Sequence, residues 1–347
     1  MMKAPFLLKS FALLLFGYVM VACQPKAPTE IEVSGIIDKD TSWTADTTYI
    51  LNQKVIVAPG ATLNIEAGTV IKAYAGEAPN VSMLVIAKGG KINAIGTAEK
   101  PIIFTSLSDD LSEGNMNNED SGLWGGVILL GDAPISLMDG EKSTFYIGLD
   151  PYSDMSFYGG DNAEDNSGVM EYVSIRHGGT YIGTGSESNG LTLCGVGAKT
   201  KISNIEIFAN LDDGIEFFGG TVNASNLIIH SIGDDGIDID EGYTGTISNF
   251  VVELGATSDN AIEISGGQGD FAGKFTLENG LLDGKNVPEG NYYSIDENAE
   301  GSISALRVAN FSENALKTVK SEKVTIEKAA EDAQALGNFD WTLTKSK

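Results

Sequence analysis

A short phrase returns five times between residues 189 and 319, and it constrains the fold more than any other feature of the chain. The copies are GLTL (190–193), GIEF (214–217), GIDI (236–239), AIEI (261–264) and ALKT (315–318). Their starts lie 24, 22, 25 and 54 residues apart, and the longest interval holds one more copy, YYSI (292–295). One apolar-alternating strand in each period of this size predicts a solenoid of stacked coils.

A second phrase repeats in step with the first and predicts another strand in each coil. Alternate strand residues point to opposite faces, so apolar residues two apart are predicted to face inward. These pairs are Ile205 and Ile207, Leu227 and Ile229, and Phe250 and Val252. The residues that precede them are predicted to stack as a ladder of amides at a turn, and they are Asn204, Asn226 and Asn249, with Asn279 extending the row.

The chain as a whole is predicted to be an all-β, right-handed parallel β-helix. Between residues 31 and 320 the apolar residues hardly ever recur with the 3.6-residue period of a helix, and glycine is abundant in the chain, at 42 residues. The β-helix is assigned to 31–320 and a C-terminal cap to 321–347, with a short helix at Ile326–Leu336 that covers the open end of the solenoid. Three polar stretches, 74–82, 107–122 and 137–168, are predicted to leave the coil as loops.

The first thirty residues indicate export and lipid anchoring. Residues 1–22 read as a signal peptide, because an apolar run too short to span a bilayer follows a weakly basic start. The run ends in Met20-Val21-Ala22-Cys23, which resembles the lipobox of bacterial lipoproteins. That resemblance implies lipidation of Cys23, a tether over 23–30 and an outer-membrane address, facing the periplasm or the exterior. Cys194 is then a free, buried thiol.

The charge of the chain restricts its partners. A formal net charge of −26 disfavours nucleic acid and bare anionic membrane, and it favours divalent cations.

Several phrases together resemble a group of bacterial envelope lipoproteins. They include GATLNIEAGTVIKA, GGKINAIGTAEKPIIFTS, GLWGGVILLGDAPI and NLDDGIEFFGGT. The resemblance covers nearly the whole mature chain and implies a right-handed parallel β-helix in the envelope, but no reaction.

The residue between each inward pair of the first phrase is predicted to face outward, one in each coil. These residues are Thr192, Glu216, Asp238, Glu263, Ser294 and Lys317. Coils about 4.8 Å apart would place Glu216, Asp238 and Glu263 in a row of carboxylates, which we take as candidate Ca²⁺ ligands. The candidate acidic site also includes the neighbouring turn residues Asp212, Asp213, Asp234, Asp235 and Asp240. Carboxylates this close require either a raised pKa or a bound cation.

Three interpretations of this cluster remain open. A glycosidase needs two carboxylates about 5 to 9 Å apart, which neighbouring coils supply. Asn210-Leu211-Asp212-Asp213 and Gly233-Asp234-Asp235 are similar to the paired acidic motifs of polygalacturonase-like hydrolases, but the Gly-His-Gly and Arg-Ile-Lys motifs of those enzymes are missing. The second interpretation is a Ca²⁺ site. The third is turn chemistry, in which exposed Asp residues only solvate the strand.

A second outward row consists of Arg176, Phe208, His230 and Glu253. An aromatic ring beside charged groups suits a sugar, so these residues form a candidate ligand-contact face.

The sequence thus favours a non-catalytic lipoprotein that displays a β-helix surface to a polysaccharide or to an envelope protein. The alternative is a polysaccharide hydrolase or lyase that uses the acidic row.

Overall fold

The computed structural model describes residues 1, 29–285, 287–330 and 334–343, and it confirms an all-β parallel β-helix. Cys23 and the rest of the predicted leader lie outside the described residues. The strands are β1 (Thr29–Ile37), β2 (Thr41–Trp43), β3 (Thr47–Val57), β4 (Thr62–Ile65), β5 (Val70–Ala73), β6 (Met83–Ile86), β7 (Lys91–Ile95), β8 (Ile102–Ser106), β9 (Val127–Leu130), β10 (Thr144–Phe145), β11 (Phe157–Tyr158), β12 (Gly168–Arg176), β13 (Tyr181–Gly183), β14 (Ser186–Glu187), β15 (Leu191–Cys194), β16 (Lys201–Phe208), β17 (Ile215–Phe218), β18 (Asn223–His230), β19 (Ile237–Asp240), β20 (Thr246–Glu253), β21 (Ile262–Gly266), β22 (Phe275–Asp283), β23 (Tyr293–Ile295), β24 (Gly301–Ala309), β25 (Lys317–Val319) and β26 (Val324–Lys328).

The coils build two long stacks of parallel strands. The short-strand stack runs β6, β9, β15, β17, β19, β21, β23 and β25. The long-strand stack runs β12, β16, β18, β20, β22, β24 and β26. Each repeated phrase of the sequence therefore forms one strand of a stack, as predicted.

The register within the short-strand stack follows the repeated phrase until the final coil. Leu191, Ile215, Ile237 and Ile262 are aligned from strand to strand. In the final coil, however, Thr318 rather than Lys317 pairs with Ser294, so the predicted place of Lys317 is wrong by one residue. The last strand has no later coil to pack against, which relaxes the burial pattern and leaves Leu316 59% exposed.

The long strands bend at the predicted asparagine ladder. Asn204, Asn226, Asn249 and Asn279 all adopt a left-handed conformation, with φ between 53° and 57°. Asn226 Nδ2 donates to Asn204 Oδ1 at 3.3 Å, and Arg307 continues the ladder by donating to Asn279 Oδ1 at 2.8 Å. Asparagine tolerates this conformation better than most residues, so the sequence selects the point at which each strand turns.

The interior of the coil is a continuous apolar core. Apart from Leu316 in the final coil, the predicted inward apolar residues of both phrases are buried in it, including Ile207, Ile229 and Val252. Burial on this scale, at roughly 25 cal/mol per Å² of apolar surface, is the main source of stability in a fold whose coils touch only their neighbours.

The predicted C-terminal helix is wrong for the described residues. Val324–Lys328 form β26, which pairs with β24, and no helix is assigned in the described residues 329–330 and 334–336. The exposed edge of β24 offers unpaired backbone groups, and pairing with them satisfies the chain better than an isolated short helix would.

The last described segment, 334–343, lies along the flank of the long-strand stack instead of over its open end. Arg307 Nη2 donates to Gln334 O at 2.6 Å, and the Trp341 ring meets Tyr172 edge to face. In the described part of the chain no helix is long and apolar enough to cross a membrane.

Candidate functional site

The outer face of the short-strand stack changes from apolar to acidic along the solenoid. Its early coils present Met83 and Val85 from β6, and Ile128 and Leu130 from β9, to a second apolar cluster outside the coil. The next coils present Cys194, then Glu216, then Asp238 at this face. The apolar outward residues explain why the loop at 137–168 folds back onto this face.

That loop forms a cover over the start of the acidic face. Its β10–β11 pair is antiparallel, and Tyr146, Leu149 and Tyr158 are buried in the second apolar cluster. The Tyr158 hydroxyl donates to the Glu241 carboxylate, at 3.1 and 3.2 Å from its two oxygens. The loop therefore encloses a cleft next to the acidic residues.

Three buried carboxyl groups meet at the floor of the cleft, and two of them, Asp213 and Glu216, line it. Asp213, Glu216 and Asp238 each offer an oxygen within 4.8 Å of the others, and Glu216 is only 8% exposed. Strand register holds Glu216 beside Asp238 and Asp238 beside Glu263, so the three acids of the predicted row are aligned from strand to strand. Asp213 comes from the turn directly before β17.

These floor acids have strongly raised pKa values. Burial, together with the neighbouring charges of Asp213 and Asp240, raises the pKa of Glu216 well above its usual value. Burial and the charge of Glu216 do the same for Asp238, and burial and the charges of Asp212 and Asp235 do so for Asp213. Carboxyl groups this close in a buried site hold their protons to a higher pH than free carboxyl groups do.

The turn acids divide into structural and open positions. Asp213 Oδ1 accepts a hydrogen bond from Asp235 N at 3.0 Å, and Asp235 Oδ1 accepts one from Asn260 N at 2.7 Å. This ladder between turns agrees with the turn-chemistry interpretation for these two oxygens. Asp212 and Asp234 are more exposed; burial and the charges of Asp234 and Glu187 raise the pKa of Asp212 to about 7.

The remaining predicted acids lie to the side of this floor. Glu263 pairs with Asp238 in register but belongs to no cation-sized carboxylate group among the described residues. The cation-sized group that contains Glu216 and Asp238 has Asp213 from the turn as its third member, and Ca²⁺ binding by Glu216, Asp238 and Glu263 stays a prediction. Burial raises the pKa of Asp240, which follows Asp238 at the end of β19.

The cleft has a volume of about 490 Å³ and combines acids with aromatic walls. Its lining residues are Leu137, Thr144, Phe145, Tyr146, Ile147, Tyr158, Ile182, Ser186, Glu187, Asn189, Asp212, Asp213, Glu216, Phe218 and Glu241. Polar groups at one end and apolar surface at the other are typical of a ligand site.

The sequence interpretation missed Asn189, Tyr146, Tyr158 and Glu187. Asn189 Nδ2 donates to Glu216 Oε2, and so fixes the orientation of that side chain. Asn189 precedes its copy of the repeated phrase just as Asp213 and Asp235 precede theirs, so the repeat did carry a signal for it. The loop residues carried no such signal, because they lie outside the repeat.

The second predicted row, Arg176, Phe208, His230 and Glu253, is in register but not on an open face. Phe208 and His230 are buried, so the predicted ligand-contact face is wrong as an exposed surface. The row sits around Glu206, whose oxygens lie 3.6 Å from Arg176 Nη1 and 3.5 Å from His230 Nε2.

The Glu206 carboxylate is compensated by neighbouring groups and contacted by the C-terminal segment. Ser174 Oγ donates to Glu206 at 2.6 Å, and Leu343 N lies 3.3 Å from the same carboxylate. Burial by itself would raise the pKa of Glu206, but His230, Arg176 and Ser174 outweigh it and lower the pKa to about 2. The row is a structural network beneath the C-terminal segment.

The fold and site define a class: a parallel β-helix with an enclosed acidic cleft on one of its sheets. A profile of the family described as pectate-lyase-like β-helix domain matches residues 35–336, so the chain belongs to that family.

Other comparisons give little beyond the fold. A search among curated proteins found no significant match. Among solved structures, the chain is similar to the Dettilon tailspike protein (gp208), with 11% sequence identity and a TM-score of 0.25. The match covers 86% of this chain and 62% of the tailspike chain.

Proposed function

We propose that the protein binds a polysaccharide in the acidic cleft and hydrolyses a glycosidic bond there. The observation that carries this proposal is the pair formed by Asp213 and Glu216, which both line the cleft and hold oxygens within 4.8 Å of each other. Membership of a pectate-lyase-like family agrees with a polysaccharide ligand.

The geometry suggests a role for each carboxyl group. The raised pKa of Glu216 keeps a proton available, which this residue would give to the leaving oxygen of the glycosidic bond. Because neighbouring carboxyl groups lose their protons one at a time, the first ionisation of this pair would leave Asp213 as the carboxylate that attacks the sugar carbon, while Glu216 stays protonated. Water would then release the glycosyl group, and Glu216 would take a proton from that water. A carboxylate pair this close suits the retaining mechanism, which needs about 5 Å, better than the inverting one.

Asn189 would act as a positioning residue in this scheme. Its amide donates to Glu216 Oε2 and to Thr192 Oγ1, the latter at 3.3 Å. These contacts hold the Glu216 side chain on the cleft side of β17.

The test is a cleavage assay with the full-length protein on a panel of neutral, amino-substituted and uronate polysaccharides. Cleavage is measured as the release of reducing ends. Glu216→Gln and Asp213→Asn should each lower the rate by about 10²–10⁴-fold, as expected for loss of an acid or a nucleophile. Glu278→Gln, an exposed acid on β22, serves as the matched control and should cleave normally. Cleavage that survives in both cleft variants would refute the proposal.

The same assay separates cleavage from binding alone. If the wild type binds a glycan without cleaving it, the non-catalytic display role favoured by the sequence takes the place of hydrolysis. Burial of Asp213 and Glu216 beneath the loop supports chemistry over the turn-chemistry interpretation, in which exposed acids only solvate the strand.

A second candidate function is calcium binding, favoured by the three oxygens of Asp213, Glu216 and Asp238. Carboxylate oxygens are suitable ligands for Ca²⁺. Melting of the protein with calcium and with EDTA tests this candidate. A calcium-dependent rise that Asp238→Asn abolishes would support it, and equal melting temperatures would exclude it.

We also propose that the chain is an outer-membrane lipoprotein anchored through Cys23. The support is the lipobox-like sequence at 20–23. Several acyl chains would hold the protein at the membrane, where a single one would not. Cys23→Ser should move the protein from the membrane fraction to the soluble fraction, and retention in the membrane would contradict the anchor.

A further inference from the structure

The ionisable residues that line the cleft are acidic. Glu187, Asp212, Asp213, Glu216 and Glu241 line it, and none of its lining residues in the described chain is Lys, Arg or His. A ligand that brought further negative charge into this space would meet repulsion from every side, and a low local dielectric would strengthen that repulsion.

The acids at the mouth form a group of their own. Asp212, Asp213 and Asp234 hold oxygens within 4.8 Å of one another, and Asp234 and Glu187 are exposed. Asp234 and Glu187 both act on Asp212 as like charges. A cationic group placed among them would relieve this repulsion and gain attraction from several carboxylates at once.

The floor of the cleft carries an unsatisfied acceptor. Asn189 lines the cleft, and its Oδ1 is buried and has no hydrogen-bond partner. Asn189 is only 2% exposed. An amide oxygen only accepts, so a ligand that satisfies this atom must bring an N–H or O–H group.

Aromatic walls complete the requirements on the ligand. Phe145, Tyr146, Tyr158 and Phe218 line the cleft. Aromatic rings pack against the apolar faces of sugar rings, and they also attract cations. An ammonium group supplies three donors and no acceptor, whereas a uronate carboxylate adds acceptors and negative charge.

We infer that the ligand of this cleft is a glycan whose sugars carry free amino groups, held at the mouth by Glu187, Asp212 and Asp234 and at the floor by Asn189. This assignment of substrate class rests on the proposed function of the cleft. It differs from the polyuronate that the name of the family suggests, because the cleft supplies acceptors and negative charge but no cation of its own.

The test compares three oligosaccharides of equal length: β-1,4-linked glucosamine, its N-acetylated counterpart and galacturonate. Binding to the full-length protein is measured by calorimetry at slightly acidic pH, with EDTA and again with calcium. We expect the free-amine oligosaccharide to bind at least about tenfold more tightly than the acetylated one, and salt to weaken its binding. The galacturonate oligosaccharide should show no binding in either buffer.

The variant pair sharpens this test. Glu187→Gln combined with Asp212→Asn should remove the preference for the free amine, while the control Glu278→Gln keeps it. Equal or tighter binding of the acetylated oligosaccharide, or calcium-dependent binding of galacturonate, would overturn the inference and leave the proposed hydrolysis standing. If no glycan of any class is bound or cleaved, both the inference and the proposed function fail.

Discussion

Two glutamates are buried on the outer faces of the two stacks, and their pKa values move in opposite directions. Glu206, on the long-strand stack, is surrounded by Arg176, His230 and Ser174, and its pKa falls to about 2. Glu216, on the short-strand stack, is surrounded by other acids, and its pKa rises well above the usual value. Burial is shared, so the difference comes from the neighbours.

The comparison separates a structural site from a reactive one. Around Glu206 the carboxylate faces Arg176 and His230 and contacts the backbone of the C-terminal segment, so its charge is compensated within the protein. Around Glu216 the charges are unbalanced, oxygens lack partners, and a cleft of about 490 Å³ gives access. Strongly perturbed acids within a cleft are typical of functional sites.

The largest effect is expected from Glu206→Gln. Removal of this buried charge takes away the carboxylate that Arg176 and His230 both face, which should lower the free energy of unfolding by about 3–5 kcal/mol. Urea unfolding at neutral pH measures the change, and Glu278→Gln should stay within about 0.5 kcal/mol of the wild type. A loss no greater than that of the control would show that the network contributes little to stability.

Both the acidic cleft and the surroundings of Glu206 should affect how the stability of the protein depends on pH. Below the ordinary aspartate pKa of 3.8, Asp212 and Asp235 are protonated in both the folded and the unfolded state. As pH rises, the unfolded state ionises first, so stability falls until the folded pKa values of about 7 and about 8 are passed. Glu206 acts in the opposite sense: its contribution is lost as pH falls from 4.5 to about 2.

We therefore expect the melting temperature to be highest in the mildly acidic range and to decline toward pH 8. Calorimetry across this range checks the profile. A maximum at or above neutral pH would contradict the raised pKa values of the cleft acids.

Glu216→Gln should act on stability in the direction opposite to Glu206→Gln. The variant removes a carboxyl group whose pKa is higher in the folded than in the unfolded protein. It should therefore stabilise the protein at pH 8, by about 1.4 kcal/mol for each unit by which the two pKa values differ. Near pH 4 the gain should vanish, because the carboxyl group is then protonated in both states. Urea unfolding of the wild type and the variant at the two pH values measures the difference in the free energy of unfolding. Destabilisation at pH 8 would contradict the raised pKa of Glu216.

The smallest effect is expected from Tyr158→Phe. Loss of the hydrogen bond to Glu241 should cost about 0.5–1.5 kcal/mol and loosen the loop that covers the cleft. Hydrogen exchange over 137–168 should increase, while exchange in the long-strand stack should not change. Faster exchange in both regions would mean that the loop is not an independent cover.

Much of the fold could be predicted because the repeat encodes it locally. The residue before each phrase, the inward apolar pair and the bending asparagine all recur at one place per coil, so each copy confirms the others. The C-terminal residues do not repeat, and there the helical pattern of 326–336 gave the wrong element, since pairing with β24 decided the outcome.

The candidate site was predicted in part. The register placed Glu216 beside Asp238 correctly, yet it selected Glu263 where the turn residue Asp213 completes the group. It also gave no means of distinguishing the two outward rows. Which row stays accessible depends on where non-repeating segments pack.

The sequence by itself determined the β-helix, the alignment of its coils and the outward position of both charged rows, because these follow from a two-residue alternation repeated about every 22 residues. Only the tertiary structure decided which row became a cleft. The loop at 137–168 folds over the acidic face and leaves a cavity, while the segment at 334–343 packs directly against the other face. Both covering segments are held by contacts between residues far apart in the chain, and a local sequence pattern does not predict such contacts.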